Sequence, residues 1–172
     1  MGRSEKFNKL LMDLETNLEY ELGYEFLLMN QKKFKDYIYY YSKDFPMVCY
    51  EYTPDSPYEV NISESIFLND ESHDFDWIVC CKNDEPICVM CLKDRSVSDE
   101  VEIDVLEVSL KYRKECVAGN VLDVLERYAN KNYKRLCITP FDTSAMNFWK
   151  HNGYVQDNEF EGYFKKNIEY EY

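Results

Sequence analysis

A chain of 172 residues with 45% hydrophobic and 16% aromatic content can bury one good core, so a single domain over 1–172 is expected. A formal charge of −13 disfavours nucleic acid and anionic membrane as partners and favours a cationic one. No run approaches ~18 apolar residues and the start MGRSEKFNKL has no apolar signal segment, so a cytoplasmic, non-membrane protein is expected.

Phe7, Leu10, Leu11, Leu14 and Leu18 recur at helical spacing and predict an amphipathic helix within 1–22. Residues 24–29 read as a strand, and 32–41, with Phe34 and Ile38, as a helix. Residues 50–61 carry Glu51, Asp55, Glu59, three tyrosines and two prolines, a composition as suited to ordinary surface as to a site. A short helix is expected over 63–68.

Two apolar runs, WIVCCK and ICVMCLK, flank the turn Asn83-Asp84-Glu85-Pro86 and predict a hairpin. They contain Cys80, Cys81, Cys88 and Cys91. Neighbours at i and i+1, or i and i+3, of a strand point to opposite faces, so four thiolates could not converge on one tetrahedral ion. No metal site is expected, and the seven cysteines read as reduced thiols.

In the next segment Val101, Ile103 and Val105 alternate with Glu102 and Asp104, the pattern of a half-buried strand. The alternation slips at Val105 and Leu106, which predicts a bulge. From Val117 the apolar spacing becomes helical, through Val121, Val124, Leu125 and Tyr128. Lys111, Arg113 and Lys114 crowd the turn between strand and helix. A helix start offers unpaired N–H groups and partial positive charge, so an anion there would meet donors and cations together.

Leu136, Cys137 and Ile138 form a short buried strand stopped by Pro140. Ala145, Phe148, Trp149 and Asn152 share a helix face, with Asp142 or Thr143 as cap and Gly153 free to end it in the left-handed conformation. Tyr154 with Val155, and residues 163–168, are closing strands.

The spacing Arg113-x-x-Cys116-x-Ala118 resembles the acyl-CoA-binding motif Q/R-x-x-G-x-G/A of the GNAT superfamily of N-acetyltransferases. Ala145-x-x-Phe148-Trp149-x-x-x-Gly153-Tyr154 resembles that family's A-x-x-F-Y-x-x-x-G-F signature. The resemblance covers 24–168, with 1–22 as an added helix. It implies an α/β (α+β) fold: a mixed, mostly antiparallel sheet of six or seven strands flanked by helices, preceded by the extra N-terminal helix.

The same resemblance implies an enzyme that moves an acetyl group from acetyl-CoA to an amine, by direct attack with both substrates bound. It assigns coenzyme contacts to Leu106, Glu107, Val108, Arg113, Lys114, Glu115, Cys116, Val117, Ala118, Gly119, Asp142, Phe148 and Trp149. Glu102 is the expected proton acceptor, with Asp104 beside it. Val108 N–H would meet the thioester oxygen. Residues 50–61 would form part of the acceptor site.

Trp149 stands where the family often has an acidic tyrosine, and an indole cannot give up that proton. Tyr154 or water is the expected substitute. Cys116 replaces a glycine, and Asp142 an asparagine. The charge favours a small cationic amine or basic peptide as acceptor, and a homodimer is the candidate assembly. The three departures keep a second reading open: a degenerate fold that binds coenzyme, a metabolite or a protein without catalysis.

Overall fold

The computed structural model describes residues 3–51, 60–62, 76–140 and 142–168. The acidic, tyrosine-rich stretch at 52–59 and the short helix expected at 63–68 lie outside the described residues. No helix among them is long and apolar enough to cross a membrane.

The first helix, α1 (Glu5–Leu22), begins at Ser4, whose side chain accepts from Phe7 N at 3.2 Å. Phe7, Leu10, Leu11, Leu14 and Leu18 are all buried. They are part of the main core, not an appendage to it. Asp94 fixes the helix start by accepting from Ser4 N at 2.9 Å and Tyr133 Oη at 3.0 Å.

A seven-stranded sheet runs in the order β1 (Glu25–Met29), β4 (Asp76–Lys82), β5 (Glu85–Arg95), β6 (Glu100–Val108), β7 (Arg135–Ile138), β9 (Phe164–Asn167), β8 (Val155–Gln156). A separate two-stranded ribbon pairs β2 (Cys49–Glu51) with β3 (Val60–Ile62). The sheet is the mixed, mostly antiparallel one expected, because only β6 and β7 run parallel. Asn83 and Asp84 turn the β4–β5 hairpin with φ of 53° and 63°, the two-residue geometry that matches strand twist.

One sheet face packs on α1 and α3 (Val117–Ala129), including Ile78, Met90, Val101, Ile103, Val121 and Leu125. The other carries a smaller core around Phe34, Ile38, Trp77, Val79, Val89 and Val105. Phe34 and Ile38 come from α2 (Gln31–Ile38), which continues as a 3-10 turn to Asp44. Phe34 stacks on Trp77 with ring centroids 3.8 Å apart.

β7 pairs with β6 only from Glu100 to Ile103, and Pro140 follows shortly after it. Past Ile103, β6 has no strand on that side among the described residues. The sheet therefore splits there. At the split, α4 (Thr143–His151) follows β7 and leads into β8.

Candidate active site

The bulge expected in β6 is present, one residue earlier than the sequence slip suggested. Register shifts opposite Cys91 and Leu92, where Val105 and Ile103 are the partners and Asp104 is the extra residue. Before it, Val101 and Ile103 face α1 and α3; after it, Leu106 and Val108 do. Glu102, Asp104, Val105 and Glu107 are thereby turned to the opposite face. A strand without the bulge would have divided them.

Backbone direction follows from one bond. Ser109 N donates to Ile87 O at 2.9 Å, so Ser109 and Glu107 address β5, while Leu106 and Val108 turn their N–H and C=O to the open side. Val108 O there accepts from Arg113 Nε at 3.3 Å.

β6 ends in a single 3-10 turn, Leu110–Tyr112, and four residues separate it from the start of α3. Lys114 and Cys116 take left-handed φ of 87° and 57°. Cys116 caps α3 with no side-chain bond, and its carbonyl accepts from Asn120 N at 2.9 Å. The N–H groups of Val117, Ala118 and Gly119 have no intrahelical acceptor, the arrangement that suits a phosphate. A Cβ at Gly119 would point into open space. Lys114 is exposed, with no ion pair among the described residues, whereas Lys111 reaches Asp44 at 3.2 Å.

Each acid on the turned face has its own cation. Glu102 meets Arg95, Asp104 meets Lys93 at 2.9 Å, and Glu107 meets Arg113 at 3.3 Å. Glu107 is buried and also accepts from Met47 N at 2.9 Å and Val48 N at 2.8 Å. Burial raises its pKa above the ordinary carboxyl value, against the lowering effect of those three donors. The family resemblance assigned Glu107 only as a coenzyme contact, and Lys93 and Arg95 carried no expectation. Their alternation on β5 was the available signal.

The second signature builds a packed corner. Asp142 caps α4 by accepting from Ala145 N at 2.8 Å. Trp149 is buried and meets Phe148 and Tyr154 edge-on at 5.1 and 4.9 Å. Gly153, at φ 86°, ends the helix and Tyr154 N returns to Trp149 O at 3.0 Å, as its left-handed freedom allows. Tyr154 is enclosed at 1% exposure, its hydroxyl pushed far above the ordinary tyrosine value by burial and then by Glu126 of α3. The hydroxyl lies inside the core, not on the open edge of β6.

Cys80 and Cys88 lie on the α1–α3 face, and Cys81 and Cys91 on the other. Among the described residues no group of His, Cys, Asp or Glu could hold a metal ion. Burial lifts the Cys49 thiol to about 12 and Cys137 to about 11, while Cys116 alone of the seven is exposed.

Comparison with known proteins adds the family. The model described as "Acetyltransferase (GNAT) family" matches residues 36–154. No curated protein matches the sequence. The fold is similar to the ribosomal-protein-S18-alanine N-acetyltransferase from Escherichia coli, with a TM-score of 0.54, 12% identity, and cover of 85% of this chain and 96% of that one. It is also similar to Tetrahymena GCN5, at 0.50 and 15% identity over 96% and 90%. A mutant AtaT toxin bound to the C-terminus of the antitoxin AtaR matches at 0.46 and 10% identity over 55% of this chain; the chain spans 66% of that toxin.

Proposed function

Because the chain belongs to the GNAT acetyltransferase family, we propose that it transfers an acetyl group from acetyl-CoA to a primary amine of a small cationic molecule or basic peptide. One observation carries this reading. The open edge of β6 runs straight into a turn and helix start that offer unpaired N–H groups with Arg113 and Lys114 beside them.

In this reading the N–H groups of Val117, Ala118 and Gly119, with Arg113 and Lys114, hold the diphosphate of the coenzyme. The backbone of Leu106 and Val108 bonds its amide arm as an added strand would. Acetyl-CoA supplies the activated thioester. The amine nitrogen bonds to the carbonyl carbon, the C–S bond breaks, and the sulfur leaves with the electron pair.

Val108 N–H faces the oxygen on which charge develops. Glu102 takes the proton from the amine: Arg95 occupies its Oε2, and Oε1 has no partner among the described residues. Asp104, tied to Lys93, is the secondary candidate. No acid role is assigned to Trp149 or Tyr154, since both are core residues and a thiolate can leave unassisted.

The cationic acceptor rests on the overall charge of −13, and it is less direct than composition alone implies. Glu102, Asp104 and Glu107 are each matched by a cation. That matching favours a second reading, a non-catalytic coenzyme-binding module.

Calorimetry with acetyl-CoA, followed by thiol release against polyamines, amino sugars, basic peptides and an aminoacyl-tRNA, separates the readings. Heat together with thiol release on a cationic amine supports the enzyme. Release only with the tRNA refutes the cationic acceptor. Binding without release from any amine supports the module, and no heat with any CoA derivative refutes both.

A further inference from the structure

Glu107 is a buried carboxylate that none of the steps above uses. Its Oε1 accepts from Met47 N at 2.9 Å and Arg113 Nη2 at 3.3 Å, and its Oε2 from Val48 N at 2.8 Å. Met47 and Val48 belong to the segment that leads from α2 into β2, and Val48 is packed in the core beneath α2. One carboxylate therefore holds both this arm and one of the two cations that precede the helix start. Lys111 and Asp44 make a second tie between the same two segments.

Arg113 cannot serve two places at once. Its guanidinium lies along the open edge of β6, with Nε on Val108 O and Nη2 on Glu107. Val108 O is one of the strand groups that an added amide chain would need. A diphosphate at the start of α3 would draw the same cation away.

We infer that Glu107 is a positioning residue that competes with the coenzyme diphosphate for Arg113 and passes coenzyme binding on to the α2 arm through the N–H groups of Met47 and Val48. This rests on the acetyl-CoA reading above. When Arg113 leaves, the carboxylate keeps two backbone donors and draws more strongly on both. The arm beside the acceptor face thereby senses whether the coenzyme is bound. The link acts through hydrogen bonds already in place.

The test is an amide NMR titration of the whole chain with coenzyme A, paired with binding to Glu107→Gln. In the parent, the Met47 and Val48 amides are expected to shift along the same saturation curve as Ala118 and Gly119. Glu107→Gln releases Arg113 and is expected to bind coenzyme A about fivefold more tightly, the scale of one partly exposed ion pair. In an Arg113→Ala background the same change has no effect on affinity. The titration needs no variant and decides the matter if Glu107→Gln fails to fold. Movement of Ala118 and Gly119 with Met47 and Val48 fixed overturns the coupling and leaves the acetyl-CoA reading intact. Equal or weaker binding by folded Glu107→Gln overturns the competition, and no movement anywhere overturns the acetyl-CoA reading as well.

Discussion

Arg95 reaches Glu102 with two donors that fall on one oxygen: Nε lies 2.7 Å and Nη2 2.5 Å from Oε2. The other oxygen has no partner among the described residues. The pair fixes the carboxylate on a rigid strand and leaves one of its oxygens outside the ion pair. If Glu102 takes the amine proton, Glu102→Gln lowers kcat at least about a hundredfold and leaves coenzyme affinity unchanged. Steady-state rates near neutral pH with binding measured separately check this, and a loss under about threefold refutes the assignment.

Arg113→Ala removes one of the two cations that precede α3. The expected outcome is coenzyme affinity weakened about tenfold, the worth of a charge-assisted bond to phosphate, with kcat at saturation little changed. Calorimetry and saturation kinetics check it. Unaltered affinity would show that the backbone N–H groups act alone.

Cys116 holds a left-handed φ of 57°, which costs a residue with a Cβ about 1–2 kcal/mol. Cys116→Gly relieves that strain and is expected to leave the chain equally or more stable. Cys116→Val adds a β-branch at the same φ and destabilises by about 1 kcal/mol or more. Urea midpoints of the three proteins give the order, and valine at or above cysteine contradicts the backbone argument.

Glu107 makes stability depend on pH in a predictable direction. Burial raises its carboxyl above the ordinary 4.5, so between that value and the raised one the folded chain holds more protons than the unfolded chain. Its contribution to stability is present below 4.5, falls as pH rises through the window, and is level above it. Unfolding midpoints of the parent should therefore drop relative to Glu107→Gln as pH climbs from about 4 toward neutrality. A constant gap, or a parent that gains, refutes the raised value.

Leu14 is fully buried at the centre of α1. Leu14→Ala should cost about 2–5 kcal/mol, the range for a large core side chain replaced by a methyl. Denaturant unfolding checks it. A cost under about 1 kcal/mol would mean that α1 is a detachable addition.

Periodicity and turn chemistry were enough to find α1, the β4–β5 hairpin, α3 and α4, because each carries its own instructions. The leucines of α1 recur every three or four residues, Asn83-Asp84 demands a tight turn, and Gly153 stops a helix where its φ is allowed. The turn between β6 and α3 was equally legible in order, through Arg113, Cys116 and Ala118. Its strain was not, because φ at Cys116 depends on how β6 and α3 are placed in space.

What the sequence by itself determined is the set of elements and the two family signatures, both matters of short-range spacing along the chain. Only the tertiary structure decided that the bulge at Asp104 brings Glu107 onto the face of Glu102 and Asp104, that Lys93, Arg95 and Arg113 meet them, and that Tyr154 is sealed in the core. Those outcomes depend on strand register and on groups brought together from distant positions. A one-residue shift reverses every side chain beyond it, and no local pattern in a single strand records which partner it will meet.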